Sequence, residues 1–191
     1  MKTAASPSAG HLQTRLTATA AAIAAALLMA LQPSSAHAAP AIGIDLAAPV
    51  ISRADIDIRA PLDIVWKIQT DISAWTQWRP SVTAARFDGQ LDVGSAFKWE
   101  EAGLQITSTV QEWVPMRRIV WTGPAQGIVA VHVWEFSVTE RGVHVHTEES
   151  WTGDPVRSNA ATFQPLLDGA LQDWLTRLKT VSEASVRQAY R

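Results

Sequence analysis

Two groups of side chains in this sequence have the types and spacing for chemistry. His144, His146 and Glu148 alternate along one segment, and His132 stands one hairpin away from Glu149. An imidazole beside a carboxylate can exchange a proton with a bound molecule or orient it by hydrogen bonds. Imidazoles and a carboxylate on one strand face can also ligate a metal. Zinc, however, needs three or four converging ligands, and flat i, i+2 spacing does not converge by itself. His144, His146 and Glu148 therefore read as a solvated face with a Glu135–His146 cross-strand pair, and no metal is expected. The chain has no cysteine, no G-x-S-x-G, no Gly-Lys phosphate loop and no G-x-G-x-x-G. Those are the short patterns that announce nucleophiles and cofactors, so no cofactor is expected.

The relation between His132 and Glu149 rests on one hairpin. Thr139 to Gly142 reads as its loop, and pairing Val138 with Val143 keeps the count symmetric. Phe136 then faces Val145, Trp134 faces Thr147, and His132 faces Glu149. Side chains alternate along a strand, so these eight share a face. That face is mostly apolar and reads as the inner, concave one. The other face sets Ser137 opposite His144, Glu135 opposite His146 and Val133 opposite Glu148, and it reads as solvated. An inner-face imidazole and carboxylate need partners, and each can supply the other's. Two readings stay open. The pair orients a ligand or works as acid and base in an apolar pocket, or it pins strand register.

The elements that must position this pair follow from periodicity. Arg53 to Arg59 alternates apolar and polar, which is strand period. Pro61 suits the first position of a helix, and Ile64, Ile68 and Ile72 recur at helical spacing after it. A further short helical turn holds Trp75 and Trp78, and Arg79-Pro80 ends it. Strands are expected at Val82–Phe87, Ser95–Glu101, Leu104–Trp113, Arg118–Thr122, Ile128–Val138 and Val143–Trp151, with turn residues between them. Glu100-Glu101 and Arg117-Arg118 read as solvated charges at hairpin ends. Ile119 and Trp121 share one strand face, and so do Phe97 and Trp99, with core packing as the default role. Phe163, Leu167, Ala170, Leu171, Trp174, Leu178 and Val181 then form one apolar stripe of a long terminal helix. Pro165 must lie in its first turn or kink it. A curved antiparallel sheet against one amphipathic helix is an α+β architecture.

Composition narrows the class. Hydrophobic residues make up 47% and charged residues 18% of the 191, enough for a sizeable core. All nine tryptophans fall between Trp66 and Trp174, so they line something or form a very aromatic core. Lys2 and Arg15, the apolar run Leu16 to Leu31, and Ala36-His37-Ala38 read as a secretory signal, residues 1–38, cleaved after Ala38. The run is short for an uncleaved anchor, since a span needs about 20 apolar residues. Removing it takes two of the 16 basic residues and none of the 18 acidic ones, leaving a formal charge of −4. No basic stripe remains, so nucleic acid is not an expected partner. Residues 39–52 read as a flexible leader and 53–191 as the folded domain.

With these segments in place, the chain resembles the polyketide cyclase/dehydrase and lipid transport family of the START-related superfamily. The stretches that carry the resemblance are APLDIVWKIQTDISAWTQWRPSV (Ala60 to Val82), DGQLDVGSAFKWE (Asp88 to Glu100), ITSTVQEWVPMRRIVWTG (Ile106 to Gly123) and AVHVWEFSV…VHTEESWTG (Ala130 to Gly153). The resemblance implies a helix-grip fold, about seven curved antiparallel strands around the terminal helix, with a hydrophobic cavity between. Its members include ligand carriers and aromatase/cyclases, and fold does not choose among them.

The reading that follows is an exported carrier, periplasmic or secreted, of a hydrophobic small molecule such as a lipid, isoprenoid or aromatic compound. The expected ligand-facing residues are His132, Trp134, Phe136, Val145, Thr147, Glu149, Trp121, Trp99, Phe163 and Trp174. The alternatives are a cyclase/dehydratase using His132 and Glu149 as catalytic acid and base, and a protein-binding module using the outer face.

Overall fold

The computed structural model describes residues 41–189. The apolar head and its A-x-A sequence lie outside the described residues. The elements are β1 (Val50–Ile58), α1 (Leu62–Thr70), a 3-10 turn (Ile72–Ala74) running into α2 (Trp75–Trp78), β2 (Val82–Arg86), β3 (Ala96–Glu101), β4 (Leu104–Val114), β5 (Arg118–Ala125), β6 (Ile128–Thr139), β7 (Gly142–Thr152), α3 (Asp154–Ser158) and α4 (Ala160–Ala189). The seven strands form one antiparallel sheet in the order β1-β7-β6-β5-β4-β3-β2. The sheet curves around α4 in a helix-grip, α+β architecture. Among the described residues, no helix is long and apolar enough to cross a membrane.

The local causes are in the chain. Pro61 caps α1, which buries Val65, Trp66 and Gln69. At the end of β7, Gly153 takes a φ of 116°, and a Cβ there would run into the backbone carbonyl of Gly127. A glycine therefore lets the chain leave β7 against the β5–β6 turn and enter α3. Pro165 is the sixth residue of α4, where the missing N–H would have met the carbonyl of Ala161, an exposed residue that water can serve.

The β6–β7 register is the counted one: Val138 pairs with Val143, Phe136 with Val145, Trp134 with Thr147, and His132 with Glu149. The turn is tighter than expected, because Thr139 and Gly142 still pair. On the inner face, α4 buries Leu167, Leu171, Trp174, Leu175 and Leu178 against the sheet.

The outer face differs from its sequence reading. Val120 and Val133 are buried there beneath Ile44. Arg118 donates to the carbonyl of Ile42, and the amide of Ile42 donates to Glu112. Asp45 donates its amide to Ser150. The chain is thus tied down from Ile42 onward, and β1 starts at Val50 rather than Arg53. Two valines facing outward supply the apolar surface that this segment covers.

Replacing Leu175, which is fully buried in α4, by Ala is expected to destabilise the fold by about 2–5 kcal/mol. Leu166→Ala, at a position 57% exposed on the same helix, should stay within about 0.5 kcal/mol. Urea unfolding of the two variants checks this. Equal losses would place the buried face of α4 elsewhere.

Candidate functional site

The inner face of the sheet changes size along β5 and β6. Ile119 lies opposite Trp134 and Trp121 opposite His132, but next come Gly123 opposite Ala130 and Ala125 opposite Ile128. One helix lies over both halves. Over the bulky half, the side chains of Trp134, Phe136 and Val145 meet Trp66, Trp75, Leu175 and Leu178 in one continuous core. Over the small half, α4 cannot close the gap, and a cavity of about 410 Å³ opens. Gly123 lets β4 side chains come close: a Cβ there would sit 3.1 Å from Ile106 Cγ2 and 3.2 Å from Ser108 Oγ.

Five aromatic residues stand in the wall: Trp99, Trp121, Trp151, Phe163 and Trp174. Of the ten expected ligand-facing residues, Trp99, Trp121, Glu149, Phe163 and Trp174 line the cavity. His132, Trp134, Phe136, Val145 and Thr147 share the same sheet face but do not. They are covered, because α1, the 3-10 turn and the second half of α4 pack onto that half of the sheet. Sharing a sheet face does not amount to sharing a cavity.

Glu149 connects the two halves. Its Oε2 lies 3.1 Å from His132 Nδ1, and its Oε1 accepts from Trp151 Nε1 at 2.8 Å. On the far side, His132 Nε2 lies 2.9 Å from Thr147 Oγ1. The Thr147 hydroxyl donates its one hydrogen to the carbonyl of Val133 at 2.9 Å. It must therefore accept from His132, so Nε2 carries a hydrogen. In a neutral imidazole Nδ1 is then an acceptor, and the hydrogen between it and Glu149 belongs to the carboxyl. The electrostatics agree. Burial pushes the Glu149 carboxyl up to about 8, and burial and the charge of Arg79 hold His132 well below 6.5. Both forms of the pair hold one proton, and the uncharged form is favoured where water is excluded.

A second buried unit lies beside the cavity. Arg79 is fully buried. Its Nη2 donates to Glu101 Oε1 at 2.6 Å, and its guanidinium carbon sits 3.4 Å from the centroid of the Trp174 ring. From sequence, Arg79 reads as a helix stop and Glu101 as a solvated charge at a hairpin end. The structure corrects this: Glu101 faces inward from β3 and neutralises the buried cation. Arg118, also expected in solvent, is 9% exposed and lies between Glu112 and Glu135. Trp151 and Asp173 were also missed as cavity residues. The legible signal was Gly123 and Ala130, small residues two places along from bulky Trp121 and His132.

The outer-face histidines have other partners than expected. His146 pairs with Asp55 at 2.8 Å, and His144 with Asp57 at 2.9 Å and with Asp55 at 3.2 Å. Glu135 instead meets Arg118. The cause is that β1 pairs with β7 and sets Asp55 opposite His146 and Asp57 opposite His144. Among the described residues, no group of three or more His, Cys, Asp or Glu side chains is placed to hold a metal.

Substitution of Glu149 tests the proton assignment. In Glu149→Gln, the new amide can donate to His132 Nδ1 and accept from Trp151, so stability near pH 6 should stay close to wild type. Glu149→Ala strands both partners, at about 1–3 kcal/mol for each unsatisfied group. The pH dependence has a definite sign. Below the ordinary histidine value of 6.5 and above the ordinary glutamate value of 4.5, the folded and unfolded pairs each hold one proton. Between 6.5 and about 8 only the folded pair holds it. Wild-type stability should therefore fall by up to about 2 kcal/mol across that window relative to Glu149→Gln, then level off. Parallel pH profiles, from urea unfolding of both proteins, would contradict the protonated carboxyl.

The comparisons with known proteins agree with this architecture. Residues 49–183 match the family described as polyketide cyclase / dehydrase and lipid transport. Among curated proteins, none matches the chain in sequence. Among solved structures, hypothetical protein jhp0584 from Helicobacter pylori superposes with a TM-score of 0.64 at 19% identity, over 76% of this chain and 99% of that one. The di-domain ARO/CYC StfQ from the steffimycin biosynthetic pathway gives 0.60 at 14% identity, over 72% of this chain and 51% of that one. DynU16, a putative protein in the dynemicin biosynthetic locus, gives 0.53 at 19%, over 68% and 46%. At these identities the structures share the fold alone. The family match spans most of the chain, and this protein belongs to the polyketide cyclase/dehydrase and lipid transport family.

Proposed function

We propose that this protein binds and carries a hydrophobic small molecule, a lipid, isoprenoid or aromatic compound, in the cavity between the sheet and α4. One observation carries the reading: a cavity of about 410 Å³ between the sheet and α4, walled by apolar side chains that include five aromatic rings. Apolar walls with a few placed polar groups are the general form of a small-molecule site. The family's description includes lipid transport. The basic-then-apolar head of the chain supports a carrier that works outside the cytoplasm, in the periplasm or beyond.

A second reading has its own support. Glu149 reaches the cavity with a proton shared with His132, which is an acid/base device of the kind a dehydratase or cyclase requires. StfQ, of similar fold, is named as an ARO/CYC protein. Turnover of a bound polyketide-like substrate that is lost in His132→Ala, with binding retained, would select the enzyme.

Native mass spectrometry of the full-length gene product, purified from its own cell envelope, tests the carrier reading. The expected spectrum shows a chain beginning at Ala39 with a noncovalent organic adduct. Ala130→Trp, which fills the cavity floor, should remove the adduct while the protein stays folded. A chain still starting at Met1 would contradict export. A wild-type protein without adduct, inert to added apolar ligands, would contradict the carrier.

A further inference from the structure

The polar side chains that reach this cavity are one-sided in charge. Glu101, Glu149 and Asp173 line it, and no Lys, Arg or His does. The N–H groups of three of its four tryptophans are already engaged: Trp99 donates to Ser108, Trp151 to Glu149 and Trp174 to Gln69. Arg79 donates to Glu101 through Nη2, and its side chain is 1% exposed and does not line the cavity. What the cavity offers a ligand is indole faces, three carboxyl groups and the hydroxyls of Ser81 and Ser108. Resting on the carrier reading, we infer that the ligand is an apolar, ring-containing amine whose ammonium group sits beside Glu149 within the tryptophan walls.

The charge balance supports this. Arg79 offsets Glu101, and Arg177 grips both oxygens of Asp173 at 2.9 and 2.7 Å. Glu149 is left without a charged hydrogen-bond partner, since His132 behind it is held neutral and Arg79, whose charge also acts on Glu149, is bound to Glu101. Glu149 accordingly keeps its proton up to about pH 8. An ammonium beside Glu149 would supply a pairing cation and release that proton, with His132 passing to its Nδ1–H tautomer and the Thr147 hydroxyl turning to donate to Nε2, so cavity and ligand together stay neutral. An acid in the same place would add a negative charge to a wall of three carboxyl groups. A neutral alcohol would gain a hydrogen bond but no charge pairing. Indole faces attract ammonium groups most strongly where water is excluded.

The test uses three probes of one shape: 2-naphthylmethylamine, 2-naphthylmethanol and 2-naphthoate, titrated calorimetrically into the wild-type protein at pH 7. The amine is expected to bind about tenfold more tightly than the alcohol, and the acid most weakly. In buffers of different ionisation heat, amine binding should release a fraction of a proton toward one, and alcohol binding none. Glu149→Gln keeps both of its hydrogen bonds and should bring the amine down to the level of the alcohol, with no proton released. Asp88→Asn, on the exposed segment after β2 and away from the cavity, controls for loss of a carboxylate and should leave the proton release intact. If the alcohol binds as tightly as the amine, or if Glu149→Gln keeps the amine preference, this inference falls and the carrier reading stands. If none of the three binds, while Ala130→Trp behaves as wild type, both fall.

Discussion

Trp174 is the side chain on which the rest of the structure turns. From the middle of α4 its ring contacts those of Trp75, Trp99, Trp121, His132 and Trp134, with centroids 5.1 to 6.2 Å apart. Its N–H donates to Gln69 Oε1 at 3.0 Å, and the backbone carbonyl of Gln69 accepts from Trp75 Nε1 at 2.9 Å. One glutamine thereby fastens α1, α2 and α4 together. The guanidinium of Arg79 lies against the same indole at 3.4 Å. Trp75, Trp99 and Trp174 thus fill the core with large rings whose N–H groups are satisfied, while Trp134 Nε1 is buried without a partner. Trp174 also bounds the cavity, so packed core and open site are two sides of one residue.

The two buried polar units beside it solve the same problem in opposite ways. Removing a charge from water is costly unless it is paired or given up. Arg79 stays charged: its pKa falls only to about 10, and Glu101 and the Trp174 face compensate it. Glu149 gives up its charge by keeping a proton, and passes the hydrogen-bond chain through His132 and Thr147 to the backbone of Val133. In the first arrangement only the Glu101 carboxylate, already paired with Arg79, reaches the cavity. The second opens onto it, and a carboxyl group whose proton can be displaced is what a ligand or substrate would meet there. Binding and proton transfer are alternative uses of that one property.

Much of this was legible in the chain. Alternation and turn residues set the strands, and counting outward from the Val138–Val143 pair placed His132 opposite Glu149, since period two leaves no freedom once the hairpin closes. The stripe through Leu167, Leu171, Trp174 and Leu178 named the face of α4 that meets the sheet. What remained hidden depends on pairings between distant segments. No local pattern says that β1 lies against β7, and that pairing gives His144 and His146 their aspartates. Nor does a local pattern show that residues near Ile44 cover Val120 and Val133. Arg79 reads as a surface residue after a short helix until the curvature of the sheet brings Glu101 over it. The position of the cavity was misjudged for a related reason. The bulky positions drew attention to Trp134 and Phe136, whereas space is made by the residues that are small, Gly123 and Ala130.

Function therefore depends on which half of the inner face receives a ligand. The indole N–H resonances of the tryptophans report this directly in a ¹⁵N-correlated spectrum, once assigned by single Trp→Phe variants. On addition of 2-naphthylmethanol, the signals of Trp99, Trp121, Trp151 and Trp174 should shift, while those of Trp66 and Trp134 stay in place. Shifts centred on Trp66 and Trp134, with Trp99 and Trp151 unmoved, would contradict the account and put the binding site in what is here described as packed core.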